Sequence, residues 1–177
     1  MTGAYEYARA LFMISEEERS SERVMADVKV AKEAFASNPG YADLLDTPAL
    51  SKSERIALID KAFSSLDESL VNLIKILAEK RLSYLFPKLA EEYSALYDES
   101  RGILRAEAVS ALPLTEKQSE ALTKKLASLT GKTVILSNTT DKSILGGIVL
   151  RYSGIQLDGS VKTRLDKFES ALKSTVI

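Results

Sequence analysis

The chain of 177 residues contains no cysteine, no histidine and no tryptophan. Without cysteine it can form no disulfide and has no thiol nucleophile, and without either residue it lacks the usual ligands of a zinc site. Without histidine it has no side chain that ordinarily titrates near neutral pH, which is the commonest acid–base catalyst. These absences exclude many enzyme mechanisms and leave only chemistry carried by carboxylates, lysine, serine or tyrosine.

Long apolar runs are also absent. The longest uninterrupted ones are a few residues, whereas a membrane-spanning helix needs roughly 20. Glu6 and Arg9 interrupt the first apolar segment, so it does not have the apolar core of a secretory signal peptide. We therefore expect a protein that stays in a cytoplasm-like compartment, is not inserted into a membrane, and reaches one only through partners.

Apolar residues make up 45% of the chain and charged residues 28%, as in soluble globular proteins. The charge is unevenly distributed. Residues 1–100 contain 12 Lys and Arg against 18 Asp and Glu, a net charge of −6, whereas residues 101–177 contain 12 against 7, a net charge of +5. This asymmetry suggests two modules with different partners. Chance variation between two solvated surfaces is the alternative.

The first hundred residues are predicted to form a bundle of six helices joined by short loops. Pro39-Gly40 and Pro48 separate the early helices, because proline cannot continue a helical hydrogen-bond ladder. Ser51 to Glu54 has the pattern of a capping box, which begins the fourth helix. Pro87 is tolerated in the first turn of a sixth helix predicted to begin near Ser83.

The first and fifth helices carry more apolar side chains than a single buried face requires. On the fifth helix, Val71 and Ile76 lie outside the main stripe, and on the first helix the apolar residues cover more than one face. Such a surplus has two explanations: deep burial in the bundle, or a groove for a partner helix. The pattern alone leaves both open.

Gly102 marks a change of pattern, and we predict domains at 1–102 and 103–177. The second domain has the order strand, helix, strand, strand, strand, helix, which makes the whole chain α+β. Ser153-Gly154 is predicted to close a β-hairpin, and Asp158 or Ser160 to cap the terminal helix. The apolar stripe of that helix comprises Val161, Leu165, Phe168 and Leu172.

Three motifs resemble chemical sites but have simpler explanations. Gly131-Lys132-Thr133 lacks the earlier glycine of a phosphate-binding loop and follows a helix, so a helix C-cap is favoured. Gly146-Gly147 is more typical of a tight entry into a strand than of an anion site. Glu91-Glu92 diverge by about 100° on a helix, which indicates a solvated acidic face. We therefore predict no catalytic, cofactor-binding or metal-binding residues.

Lys162, Arg164 and Lys167 form a basic flank on the predicted terminal helix. A helical-bundle factor that binds nucleic acid through its basic C-terminal half is therefore an alternative function. Against it, only Tyr152 and Phe168 are aromatic nearby, and Phe168 belongs to the apolar stripe. Residues that could stack on bases are lacking, and nucleic acid is not the partner we expect.

Several segments, in this order along the chain, resemble the delta subunit of bacterial F-type ATP synthase, whose mitochondrial relative is the oligomycin-sensitivity-conferring protein. The specific part is Gly146-Gly147 followed by Asp158-Gly159-Ser160-Val161 and Arg164-Leu165. Residues 7–12, 50–55 and 77–82 are corroborating. The resemblance covers nearly the whole chain, and it implies a structural coupling subunit of the stator rather than an enzyme.

The resemblance also implies partners and a location. The helical domain would bind the N-terminal helix of a head alpha subunit in a groove between the first and fifth helices. The C-terminal domain would bind the b subunits of the peripheral stalk. Such a protein would lie at the cytoplasmic face of the cell membrane, as a peripheral part of a complex that couples ATP synthesis to proton or sodium transport. The matching groove positions are Tyr7, Ala10, Leu11 and Ile14 on one side and Leu73, Ile76, Leu77 and Lys80 on the other.

Overall fold

The computed structural model divides the chain into two compact units, Met1–Tyr97 and Asp98–Ile177. It describes residues 3–152, 154–161, 163 and 165. The described residues give an α+β protein, as the sequence predicts, with seven α-helices and one sheet of four strands. The second unit begins at Asp98, before the predicted boundary at residue 102, and Asp98 forms an ion pair with Arg105 of the same unit.

Helices account for nearly all of the described part of the first unit. They are α1 (Gly3–Glu17), α2 (Ser21–Ser37), α3 (Gly40–Asp46), α4 (Lys52–Phe63), α5 (Glu68–Glu79) and α6 (Phe86–Ser100), with a short 3-10 helix at Ser83–Leu85. Helix α6 continues past the end of the unit.

Side-chain hydrogen bonds mark the start of α4 and the turn that precedes α6. Ser51 and Glu54 form both hydrogen bonds of the predicted capping box at the start of α4. Before α6, the Asp46 carboxylate accepts the backbone N–H groups of Ser83 and Tyr84, at 3.0 and 3.3 Å. Those two contacts accompany a 3-10 turn at Ser83, and α6 proper begins at Phe86, later than predicted.

One cluster of buried side chains forms the core of the first unit, and α1 to α6 all contribute to it. An aromatic group lies within it. Phe35 stacks on Phe86, with ring centroids 4.7 Å apart, and on Phe63, at 5.9 Å. Stacked rings contribute about 0.5–1.5 kcal/mol beyond the area they bury, so this group links α2, α4 and α6.

Tyr93 is the largest fully buried side chain of this core, and its hydroxyl is hydrogen-bonded inside it. The hydroxyl lies 2.9 Å from Ser15 Oγ and donates to the carbonyl of Ser21 at 3.4 Å. Because burial disfavours the phenolate, it raises the pKa of Tyr93 from 10.0 to about 12. The hydrogen bond to the Ser21 carbonyl, which joins α6 to α2, requires the protonated hydroxyl.

We expect the contribution of Tyr93 to stability to be lost between pH 10 and about 12. In that range the unfolded chain releases the phenolic proton while the folded chain retains it, so rising pH favours unfolding. Tyr93→Phe should cost about 1 kcal/mol at pH 8 through loss of the hydrogen bond. Circular dichroism melts from pH 8 to 11.5 should show the two proteins converging, and parallel curves would contradict this assignment.

The second unit contains a mixed sheet and one fully described helix. Its elements are β1 (Ile103–Ser110), α7 (Glu116–Thr130), β2 (Thr133–Thr140), β3 (Ile148–Tyr152) and β4 (Ile155–Asp158). The strand order is β2-β1-β3-β4. Strand β2 runs parallel to β1, with α7 as the crossover, while β3 and β4 are antiparallel to their neighbours.

Strand β2 extends further than the sequence suggests. The polar residues 137–140 lack the apolar alternation of a strand, yet they pair with β1 up to Ser110. The side chain of Asn138 donates to the carbonyl of Ala108 at 2.7 Å and to Ser110 Oγ at 2.9 Å. Polar residues thus continue the strand because β1 offers partners for both their backbone and side-chain groups.

The connection from β4 toward the chain end begins as predicted. Ser160 Oγ accepts the backbone N–H of Thr163, and the Asp158 carboxylate accepts the N–H of Ser160 at 2.8 Å. Both proposed caps therefore act together. The predicted terminal helix, including Phe168, Leu172 and the basic flank, lies mostly outside the described residues.

Candidate protein-binding groove

Helices α1 and α5 lie side by side and antiparallel. Tyr7 lies near the start of α1, and Lys80 directly follows α5. The Lys80 ammonium group lies over the Tyr7 ring, 5.8 Å from the ring centroid. Just after the other end of α1, Glu18 accepts a hydrogen bond of 3.4 Å from Ser69 Oγ, in the first turn of α5. The two predicted sides of the site are therefore adjacent along their whole length.

Burial divides the eight predicted binding residues into two groups. Leu11 and Leu77 are almost fully buried, and Leu73 is only 8% exposed. Ile14 and Ile76 are each 45% exposed. The remaining surface residues are Tyr7, Ala10 and Lys80, of which Tyr7 is half-buried and the other two are exposed.

The three leucines therefore belong to the core and offer little surface to a partner in this structure. They support the exposed residues from beneath. We refer to the surface formed by Tyr7, Ala10, Ile14, Ile76 and Lys80, with Leu73 at its floor, as the α1/α5 groove. Ile14 on α1 and Ile76 on α5 are both half-exposed, and together they offer an apolar strip of the kind that an amphipathic helix covers.

Met13 was missed as a surface residue by the sequence reasoning. It is 60% exposed and lies one turn from Ala10 on α1. The i, i+3 spacing from Ala10 was the available signal, but periodicity alone does not tell an apolar residue that is buried from one that is exposed. Met13 adds apolar surface next to Ala10, and methionine adapts readily to different partner surfaces.

The two ends of the α1/α5 groove carry opposite charge. At the end of α1, Glu18, Asp67 and Glu68 line a depression of about 600 Å³, together with Arg23. At the other end lie Lys80 and Arg81, which follow α5. Asp67 accepts the N–H of Ser69 and caps α5, so one of these carboxylates also has a structural role.

In the second unit, the polar face of the sheet bears a depression of about 520 Å³. Arg151 crosses it to Glu107, at 3.5 Å, and to the side chain of Gln156, at 3.3 Å. Ile135, which is 44% exposed, adds an apolar patch to the same lining. This face presents charge and apolar surface together, as protein-binding surfaces do.

The simpler explanations of the sequence motifs agree with the structure. Gly131 adopts φ +67° and caps α7, donating its N–H to Ala127. Glu91 forms ion pairs with Lys32 and Lys88, and the Lys32 hydrogen bond holds the pKa of the Glu91 carboxyl below its usual value. Within the described ranges, no cluster of acidic side chains is arranged to hold a metal ion.

Gly146-Gly147 is enclosed by the chain itself. The carbonyl of Gly146 accepts the N–H of Val161 at 2.9 Å. A Cβ atom on Gly147 would lie 2.5 Å from the Gly159 carbonyl oxygen and 2.8 Å from the Ser160 Cα. The two glycine-containing segments therefore pack backbone to backbone. This close packing leaves no room for a side chain at Gly147.

Among the described residues, the helices are too short or too polar for any of them to cross a bilayer.

Comparisons with known proteins match nearly the whole chain. Residues 4–172 match the family described as ATP synthase delta (OSCP) subunit. The protein named ATP synthase subunit delta from Geobacillus sp. (strain WCH70) is 34% identical over 170 residues, covering 96% of each chain. Its namesake from Clostridioides difficile (strain 630) is 34% identical over 176 residues, covering 98% of this chain and 97% of that protein.

A solved structure shares the fold. A chain in the cryo-EM structure of the Toxoplasma gondii mitochondrial ATP synthase hexamer is similar with a TM-score of 0.78. The match covers 97% of this chain and 98% of that one, at 22% identity.

Proposed function

The chain belongs to the ATP synthase delta (OSCP) subunit family, and on that premise we propose that it is a non-catalytic stator subunit of an F-type ATP synthase. The family match along nearly the whole chain carries this conclusion. In such a complex the subunit belongs to the peripheral stalk and links it to the catalytic head. Its work is mechanical, and it needs no cofactor.

The physical requirement on this subunit is resistance to torque. Rotation of the central shaft exerts a turning force on the head, and ion flow performs no work on the nucleotide sites unless the head is held still. Holding requires slow dissociation, because differences in affinity between related interfaces lie mostly in the off-rate. Apolar anchors buried at the centre of an interface supply such binding.

We assign the head contact to the α1/α5 groove. Its partner is the N-terminal helix of a head alpha subunit, whose apolar face would cover Ile14 and Ile76. Full burial of an isoleucine side chain contributes about 1.5–3 kcal/mol, so completing the burial of two half-exposed ones contributes about 2 kcal/mol together. Tyr7 and Ala10 extend the contact, and Lys80 borders it.

We assign the stalk contact to the second unit, whose partners are the b subunits. The net positive charge of residues 101–177 suits an acidic or amphipathic helix. The polar sheet face, with Arg151 and the exposed Ile135, is a surface available for such a contact. We further propose that α1 to α6 form a six-helix bundle, that a terminal helix completes the second unit, and that the complex is peripheral to the cytoplasmic face of the membrane.

The alternative of a nucleic-acid-binding factor has no support from the comparisons, since the family and the relatives are ATP synthase subunits. The basic residues that suggested this alternative, Lys162, Arg164 and Lys167, lie outside the described residues. Binding to RNA or DNA that weakens steeply with salt would revive it.

Calorimetric titration tests the head contact. A synthetic peptide with the N-terminal helix sequence of the head alpha subunit from the same organism is titrated into the full-length protein. We expect saturable binding of one peptide per chain, with a negative heat-capacity change because apolar surface is buried. NMR shifts should cluster on α1 and α5. Absence of heat and of shifts on these helices would contradict the assignment.

A further inference from the structure

The α1/α5 groove is electrically asymmetric along its length. Glu18 and Glu68 are exposed at one end, next to the largely buried Asp67. Lys80 is exposed at the other end, over the ring of Tyr7. Because α1 and α5 are antiparallel, each end draws its residues from the end of one helix and the start of the other. The apolar strip of Ile14 and Ile76 lies between the two charged ends.

Two cations, Arg19 and Arg23, lie at the acidic end, but the carboxylates there outnumber them. Arg23 shares the depression with three carboxylates. Its guanidinium is directed to a fourth carboxylate, that of Asp27, at 3.9 Å. Asp27 in turn accepts the backbone N–H of Asp67 at 2.8 Å. The acidic end therefore keeps a surplus of negative charge beside a strip of apolar surface.

The basic end is smaller, and its net positive charge is partly offset by the exposed carboxylate of Glu6, one residue before Tyr7. Lys80 lies over an aromatic ring, which leaves its ammonium group at the rim of the groove. Arg81 follows in a left-handed conformation, with φ at 57°. The nearby Glu79 is paired with Lys52 at 2.7 Å. A ligand that lies along the groove thus passes from negative to positive potential.

We propose that the occupant of the α1/α5 groove is an amphipathic helix with one basic and one acidic end, and that its charge order sets the direction in which it lies. The basic end lies over Glu18 and Glu68, and the acidic end over Lys80. This inference rests on the proposed function of the groove. From position 7 to 18 along α1 is about 17 Å at 1.5 Å per residue, so the matching helix has about three turns.

Two designed peptides test the direction. Both have 16 residues, identical composition and the same apolar stripe, but one carries lysines in its first turn and glutamates in its last, and the other the reverse. Helix propensity in isolation differs between them, because acidic residues stabilise the start of a helix and basic ones its end. The readout is therefore orientation rather than affinity.

The absence of cysteine from the chain makes the measurement direct. A single nitroxide is attached to Glu17→Cys at the acidic end, or to Glu6→Cys at the basic end of the full-length protein. NMR of a labelled alanine methyl near the peptide N-terminus then reports which end it approaches. We expect the alanine methyl signal of the lysine-first peptide to be broadened more by the label at position 17. The corresponding signal of the glutamate-first peptide should be broadened more by the label at position 6.

A charge-neutralised protein provides the matched control. In the double variant Glu18→Gln and Glu68→Gln, affinity for the lysine-first peptide should fall about threefold to tenfold at low salt. It should change little in 0.5 M NaCl, because salt screens exposed charges. A thermal melt confirms that the variant is folded.

The outcomes separate this inference from the proposed function. If both peptides bind in one direction whatever their charge order, the charge-order proposal is wrong and the groove remains a binding site. Equal affinity of the double variant at low salt leads to the same conclusion. If neither peptide binds, and the alpha-subunit peptide also fails in calorimetry, both the inference and the groove assignment are overturned.

Discussion

Ile76→Asp weakens binding of the alpha-subunit helix by about 2 kcal/mol or more, which is roughly a 30-fold rise in the dissociation constant. The side chain is 45% exposed on the outer flank of α5, so aspartate is accommodated in the folded protein. In the complex the same carboxylate is desolvated against an apolar partner without a compensating charge, which is costly. Calorimetry of the two proteins with one peptide measures the difference.

Val30→Asp is the matched control for this substitution. Val30 is 54% exposed on α2, which makes it a comparable apolar surface residue. By helical periodicity it lies opposite the buried face that contains Val24, Val28 and Ala31. It should therefore leave peptide affinity unchanged. Equal affinity of the Ile76→Asp and wild-type proteins, or an equal loss for both variants, would remove Ile76 from the interface.

Gly147→Ala destabilises the second unit by about 3 kcal/mol or more and lowers its melting temperature by about 12–24 °C. Two effects add. The residue has φ at +87°, which costs an L-residue about 1–2 kcal/mol. The new Cβ would also lie 2.5 Å from the carbonyl oxygen of Gly159, and that atom is backbone that cannot rotate away. Thermal unfolding followed by circular dichroism measures the loss.

Gly131→Ala separates the two effects. Gly131 also has a positive φ, at +67°, but no atom lies within 4 Å of the position of a Cβ. It should therefore lose only the backbone contribution, about 1 kcal/mol. Similar losses in the two variants would show that the contact between Gly147 and Gly159 is unimportant. Peptide binding by the α1/α5 groove should survive both substitutions, since it lies in the first unit.

The sequence left open whether the additional apolar residues on α1 and α5 are buried in the bundle or exposed to a partner. The structure gives a different answer for different residues. Leu11 and Leu77 are core residues, whereas Ile14 and Ile76 are surface residues. Helical periodicity assigns each residue to an angle around the helix axis, but the width of the buried sector depends on how many neighbours surround the helix. The position of Ile76 outside the main stripe separated it from Leu77, but Val71 lies outside the same stripe and is only 7% exposed, so that signal alone was insufficient.

Strand β2 and the start of α6 illustrate a second limit. The polar residues 137–140 have no strand-like pattern, yet their partners on β1 continue the ladder. The 3-10 turn at Ser83–Leu85 accompanies hydrogen bonds from Asp46, which lies 37 residues earlier. In both places the decisive partner is distant along the chain, and no local propensity encodes it.

The amino-acid sequence alone determined the order of the main helices and strands, the capping box at Ser51, the cap at Gly131 and the family resemblance, because each depends on residue types at short spacing. Only the tertiary structure decided which apolar residues remain exposed, that Tyr7 meets Lys80, and that Gly147 packs against Gly159. These contacts join residues far apart along the chain. They follow from the packing of whole helices and strands against one another, which short-range patterns do not specify.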